Sequence, residues 1–197
     1  QYLKKCEQLG SDALIISDPG IFSIVKQEGI KTPVSISTQA NTTNLAAVNF
    51  WASLGASRVI MAREVRKEDL VEIMKNAQCE VETFIHGAIC ISMSGRCLIS
   101  SYMTGKDANN GECTHPCRWN YALMEEKRDG EYFPVYEDDR GTYLYNSKDL
   151  CLLDRIGELV KMGSASGKIE GRMKSIMYVS IVTGVYRQAI DLAVKDA

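Results

Sequence analysis

Short apolar runs rich in β-branched residues alternate with longer segments whose apolar positions recur at helical spacing. The runs at 13–17, 34–38, 58–62 and 80–85 are too short for helices and are bounded by Gly, Pro, Asp or Asn, which predicts strands. Between them, residues 20–28, 43–54 and 67–76 read as helices, so each strand-plus-helix unit takes a little over twenty residues. Successive units of this kind require a parallel sheet, because a parallel connection must cross over through a helix. The expected fold class is therefore α/β. Several units running in one direction suit a partial TIM-like (β/α) barrel, with a doubly wound open sheet as the alternative. Residues 1–9 read as the tail of a helix closed by Gly10 and leading straight into a strand, so further chain is expected upstream.

The rhythm breaks at His86. From 87 to 146 the chain is rich in Gly, Ser, Asn, Cys and mixed charge, which predicts a Cys-rich insertion between a barrel portion at 1–86 and a C-terminal barrel portion at 147–197. An excursion of that length is uncommon in a compact domain unless it is functional or cross-linked. Regular structure is expected to resume with a helix at 147–162, a short strand at 168–170 and a closing helix at 173–194. The approach to that strand, Ser164-Ala165-Ser166-Gly167, lacks the β-branched residues that a buried strand prefers.

Composition narrows the function classes. With 197 residues and 45% hydrophobic content the chain can bury a core of its own, as one globular domain of ordinary size. Its 23 Lys+Arg against 25 Asp+Glu give no overall attraction to polyanions, so contact with RNA would need a local basic patch. No run approaches the roughly 18 apolar residues of a membrane span, and no secretory signal opens the chain, so the default expectation is a cytoplasmic protein with no membrane partner. Seven cysteines, an odd number in such a chain, favour free thiols or metal ligands over disulfides.

In a parallel barrel the functional face lies at the C-terminal ends of the strands. Polar residues recur there: Asp18; Gln39 and Asn41; Arg63 and Glu64; and Glu82, Phe84 and His86, which the strand period of two places on one face. Any one of these could be a solvated loop residue; their recurrence is the signal. Lys168, Glu170 and Arg172 share a face if extended, as an anion site with Arg172 the preferred ligand or as a structural ion-pair row. The cysteines run Cys-x6-Cys-x15-Cys-x3-Cys-x33-Cys from Cys90 to Cys151. Four thiolates suit a four-iron four-sulfur (4Fe-4S) cluster or a structural zinc, and unligated core cysteines are a third reading. Cys6 and Cys79, set in or beside regular elements, read as inert buried thiols. There is no Gly-x-Ser-x-Gly elbow and no His-Glu-x-x-His, although Cys90 or Ser92 near His86 stays open as a nucleophile.

The segment Glu82-Thr83-Phe84-Ile85-His86-Gly87-Ala88-Ile89-Cys90, continuing to Ser94-Gly95-Arg96-Cys97-Leu98-Ile99-Ser100, closely resembles the peptidase U32 signature. Further blocks resemble the same family: Gly111-Glu112-Cys113-Thr114-His115-Pro116-Cys117-Arg118-Trp119, Asn146-Ser147-Lys148-Asp149-Leu150, and Lys168-Ile169-Glu170-Gly171-Arg172. Ser37-Thr38-Gln39-Ala40-Asn41 and Ala62-Arg63-Glu64 look like family strand ends, whereas 164–167 departs from the more apolar approach of relatives. The resemblance covers essentially the whole chain, and it implies a TIM-like barrel core whose earlier strands precede the first residue here, leaving this stretch inactive by itself.

The family name records a collagenase-like protease, yet the better understood relatives hydroxylate tRNA uridine, ribosomal RNA cytidine or ubiquinone precursors without molecular oxygen. They hold a 4Fe-4S cluster on four cysteines, and prephenate is implicated as oxygen donor. The block ending in Cys151 looks most like the tRNA branch. The expectation is thus an iron-sulfur RNA hydroxylase acting on tRNA uridine. A collagenase-like peptidase is the alternative, and a noncatalytic partner of a U32 paralogue in a heteromeric complex is a third. The expected catalytic residues are Glu82, His86, Arg63 and Glu170, with Gln39, Asn41, Lys168 and Arg172 binding substrate. The expected cluster ligands are Cys90, Cys97, Cys113 and Cys151, with Cys117 as the alternative fourth.

Overall fold

The computed structural model describes residues 1–119, 121–134, 137–138, 141–142 and 149–196. The first half follows the predicted alternation: α1 (Tyr2–Gln8), β1 (Leu14–Ile16), α2 (Pro19–Gln27), β2 (Val34–Ile36), α3 (Leu45–Ser53), β3 (Arg58–Ile60), α4 (Lys67–Asn76) and β4 (Glu80–Ala88). Helix starts are set locally. The Asp18 carboxylate accepts from the Ile21 N–H at 2.8 Å ahead of Pro19, and the Asn44 side chain accepts from the Ala47 N–H at 2.9 Å. The insertion holds a short helix, α5 (Ile99–Thr104), and two small hairpins, β5 (Ala122–Leu123) with β6 (Phe133–Pro134) and β7 (Glu137–Asp138) with β8 (Gly141–Thr142). Then follow β9 (Asp149–Cys151), α6 (Ile156–Lys161), β10 (Ser166–Glu170) and α7 (Ile176–Lys195).

The parallel strands stand side by side in the order β1-β2-β3-β4-β10, with no reversal of direction along the sheet. The strand period separates two faces of different chemistry. One face carries Leu14, Ile16, Val34, Ile36, Val59, Met61 and Val81, which bury against Phe22, Val25, Val48 and Ile73 of the helices. Ile85 continues that face into a second cluster with Ile156, Leu159 and Tyr186, where α6 and α7 cover the sheet. On the opposite face stand Arg58, Glu82, Phe84 and Lys168, tied together by ion pairs and a cation over a ring.

Two expectations change. The helix expected from 147 is instead the strand β9, a 3-10 turn (Leu153–Arg155) and the short α6; residues 147–148 lie outside the described residues. β4 outruns β3, whose last register pair is Ile60 with Glu82, and the backbone groups beyond need partners. Residues Asp149, Leu150 and Cys151 supply them, pairing antiparallel with Ala88, Gly87 and His86. The weakly written strand is a full five residues, and its small residues have a packing cause. A side chain at Gly167 would meet Ile85 Cδ1 at 2.7 Å, so glycine lets β10 lie against β4. Gly87 is similarly constrained, with φ +109° and a hypothetical Cβ only 2.3 Å from the Glu170 carbonyl oxygen.

Candidate functional site

The ends of β3, β4 and β10 converge on one place. Arg63, just past β3, stacks its guanidinium 3.6 Å from the Phe84 ring centroid and pairs with Glu170 of β10 at 3.8 Å. Burial lowers the Arg63 guanidinium from its ordinary value, while Glu170, Cys90 and Glu64 pull it back up. Glu82 is buried with both oxygens engaged, one by Lys168 at 3.0 Å and the other by Arg58 at 3.1 Å. That carboxylate ties three neighbouring strands together. On the helix side of Arg63 a cavity of about 560 Å³ is lined by Met61, Arg63, Phe84, Leu150, Leu159 and Met162.

The cysteine loop closes over the same strand ends. Cys90, Cys97 and Cys113 repeat one motif: each sulfur accepts the backbone N–H two residues ahead, from Ser92, Ile99 and His115, every time at 3.4 Å. Cys90 and Cys113 each lie within electrostatic reach of Cys97 and Cys117. Burial pushes the Cys90 thiol up to about 11, opposed by the Ser92 N–H and by Arg63, and burial raises Cys113 as well. Cys97 and Cys117 are buried, whereas Cys151 is exposed on β9 opposite His86, back along β4 from Cys90.

The loop is moored to the strand ends by polar contacts. Arg96 Nε donates to the Gln39 carbonyl at 2.9 Å, and Gln39 Nε2 donates to Asn109 Oδ1 at 3.2 Å. Asn41 ends the turn after β2 in a left-handed conformation, φ 58°. Ser100 and Thr114 hydroxyls lie 3.1 Å apart inside the loop. Arg172 packs its guanidinium against Gly111, where any side chain would collide with it. Of the residues expected from sequence, Arg63, Glu170 and the thiols of Cys90, Cys97, Cys113 and Cys117 thus meet around one set of strand ends, while Glu82 and Lys168 pair with each other nearer the start of β4. Gln39 and Asn41 hold the loop from β2, and His86 with Cys151 forms a neighbouring group.

That group includes residues the sequence reading missed. Tyr186 of α7 places its hydroxyl 3.3 Å from His86 Nδ1 and 3.8 Å from Cys151 Sγ. Burial, reinforced by Cys151, raises the Tyr186 phenol well above its ordinary value. Arg118 and Lys174 both pair with Asp149, Lys174 at 3.6 Å, while Arg118 Nε and Nη2 and the Tyr178 hydroxyl are buried without hydrogen-bond partners. Burial would raise the Asp149 carboxyl, but its hydrogen bond and charge pairing with Arg118 and Lys174 hold it below the usual range. Burial lowers the His115 imidazole, and the nearby cations Arg118 and Lys174 push the same way. Arg118 and Asp149 lie inside the blocks quoted above, so a signal existed for them. Tyr186 is one residue of a largely apolar helix and carried none.

Among the described residues, no three His, Cys, Asp or Glu side chains are gathered tightly enough to hold one metal ion. No helix there is long and apolar enough to cross a membrane.

The chain is 39% identical over 229 aligned residues to tRNA hydroxylation protein P of Escherichia coli K12, covering 96% of this chain and 51% of that protein. It is 42% identical over 185 residues to an uncharacterized protease of Methanocaldococcus jannaschii, covering 91% of this chain and 44% of the relative. It is 34% identical over 189 residues to a 23S rRNA 5-hydroxycytidine synthase of Escherichia coli K12, covering 96% of this chain and 27% of that enzyme. The chain therefore spans about half the length, or less, of these curated relatives. The description "Peptidase family U32" matches it over residues 1–197, and with that match over the strand ends and the cysteine loop alike, the chain belongs to peptidase family U32.

Proposed function

We propose that this chain is the cysteine-bearing part of an iron-sulfur RNA hydroxylase, acting on tRNA uridine, and that its sheet is one arc of a TIM-like (β/α) barrel. The observation that carries the reading is the repeated backbone N–H to sulfur bond at Cys90, Cys97 and Cys113. Hydrogen bonds to sulfur stabilise thiolates and tune cluster potential, and an unligated thiol raised by burial, as at Cys90, has little use for them. On a cubane each thiolate meets a different iron, so the four need no common centre of the kind a tetrahedral zinc demands. Cys117 is favoured as the fourth ligand by its closeness to Cys90 and Cys113, with Cys151 as the alternative.

A bound cluster would supply one-electron chemistry. The chain's own residues bind and orient. Arg63 offers a cation beside Cys90 and at the lip of the cavity, whose volume suits a small organic acid such as prephenate as oxygen donor. Arg118 and Lys174, which share the single carboxylate of Asp149, together with Arg172 beside Gly111 make this part of the chain locally cation-rich against the net charge of −2, which suits an RNA phosphate. The relatives named for tRNA and 23S rRNA hydroxylation favour RNA over protein as substrate.

The test is nucleoside mass spectrometry of tRNA from a strain lacking the full-length protein. Loss of 5-hydroxyuridine derivatives supports the reading; an unchanged profile together with gelatin cleavage by cluster-free protein supports the peptidase. Serine at Cys90, Cys97 or Cys113 should abolish the visible iron-sulfur absorption of anaerobically reconstituted protein, while serine at Cys6 or Cys79 should leave it intact. The pair Cys117→Ser and Cys151→Ser then decides the fourth ligand. One zinc per chain and no chromophore would overturn the cluster.

A further inference from the structure

The hydroxyl of Tyr186 has one hydrogen and two lone pairs, and the structure accounts for all three. Its hydrogen goes to the Ile85 carbonyl at 2.9 Å, because that oxygen can only accept. One lone pair receives the Leu152 N–H at 3.1 Å, a hydrogen shared with the Ile85 carbonyl at 3.0 Å, because that nitrogen can only donate. What remains for His86 Nδ1, 3.3 Å away, is the second lone pair, so Nδ1 must be the donor. The two rings meet edge to face, with centroids 5.4 Å apart and planes at 65°, as such a contact requires.

We infer that Tyr186 is a positioning residue that holds the uncharged form of His86 as the Nδ1–H tautomer, so that Nε2, without a hydrogen-bond partner among the described residues, is the proton acceptor of this strand-end site. Free histidine side chains favour the opposite tautomer, so the assignment is a property imposed by the fold. The backbone makes the lock rigid. Ile85 immediately precedes His86 on β4, and Leu152 immediately follows Cys151, the register partner of His86 on β9. One buried phenol thus joins both strands to α7 and fixes the ring between them. Cys151 Sγ, 3.8 Å from the same oxygen, adds a long sulfur contact at the edge of this set.

The tautomer belongs to the chain itself; only its use as a proton acceptor rests on the hydroxylase reading. If the oxygen donor, an organic hydroxyl compound X–OH, hands its hydroxyl to the ring carbon and keeps the bonding pair as X⁻, the displaced ring hydrogen leaves as a proton, which would pass to Nε2 and from there to solvent or to X⁻. The role is analogous in logic to a buried group that orients a catalytic imidazole, where the wrong tautomer alone is costly.

The chain contains two histidines, His86 and His115, and in the long-range nitrogen-proton correlation spectrum of the full-length protein the ring pattern that disappears in His86→Gln is that of His86. His86 is expected to show protonated Nδ1 in the wild type and to move toward the Nε2–H form in Tyr186→Phe. An Nε2–H pattern in the wild type, or an unchanged Nδ1–H pattern in Tyr186→Phe, overturns the inference. If the phenylalanine variant does not fold, His86→Asn and His86→Gln decide. The asparagine amide keeps a donor near the Nδ1 position for Tyr186 and offers nothing at Nε2, whereas glutamine reaches the Nε2 position with an acceptor. Hydroxylated nucleoside should fall about 10-fold or more in Tyr186→Phe and in His86→Asn, with His86→Gln recovering part of it. Full activity in His86→Asn would reduce the histidine to a structural tie. A wild-type protein that makes no hydroxylated nucleoside but shows the Nδ1–H pattern would sink the hydroxylase reading and leave the tautomer lock standing.

Discussion

The helix-backed face of the sheet and the cysteine loop that leaves β4 reach order by different chemistry. On the sheet, Ile36, Val48, Val59 and Ile73 are almost fully buried against one another, and the ordering cost is offset by apolar area removed from water. The loop has no comparable apolar cluster among the described residues. It exposes Met93, Leu98 and Tyr102 while burying Cys97, Ser100, Pro116 and Cys117, and it is moored by polar contacts to Gln39 and within itself. The difference shows why one region can be read as a fold and the other only as a site. Apolar packing tolerates substitution if volume is kept, while a loop held by hydrogen bonds and thiols depends on each named group.

The largest effect should come from the packed face. Ile36→Ala is expected to cost about 2–5 kcal/mol in chemical denaturation, with iron content per folded molecule unchanged. Parallel loss of iron would show that the two regions are not separable. Gly87→Ala attacks the boundary between them, since it places a side chain at φ +109° against the Glu170 carbonyl. A loss of about 3 kcal/mol is expected, accompanied by reduced cluster loading because β10 must move from β4; a variant as stable as the wild type would refute that geometry.

Glu82→Gln probes the opposite face of the same sheet. Removing the charge leaves Lys168 without its carboxylate while Arg58 keeps Glu80, so a loss of about 1–3 kcal/mol is expected by thermal denaturation. Retained hydroxylation in the folded variant would confirm Glu82 as a tie across strands, whereas inactivity at wild-type stability would make it a catalytic group. The smallest effect is expected at Asp149. Its carboxyl is held low in the folded chain, so it contributes stability above the unfolded carboxyl value, and that contribution is lost as pH falls through the folded one. Asp149→Asn should therefore cost about 1 kcal/mol at neutral pH and flatten the acid limb of a stability-pH profile, with nothing changed at the lowest pH. An acid limb identical to the wild type would place the sensitivity elsewhere.

Much of this protein follows from its sequence alone. The strand and helix alternation through residue 85, the break after β4 and the grouping of cysteines are all local or periodic properties, and periodicity is written residue by residue. That Arg63 and Glu170 gather at strand ends was legible for the same reason: a parallel sheet puts the ends of successive strands on one side whatever else the chain does. Only the tertiary structure decided that 149–151 is a strand, because its partner is the stretch of β4 left bare where β3 stops. It alone decided that Gly167 is small to admit Ile85, that Glu82 is neutralised from two sides, and that a tyrosine a hundred residues beyond His86 sets the histidine's tautomer. These contacts join groups far apart in the chain through single atoms, and no pattern of neighbouring residues encodes where such an atom will find its partner.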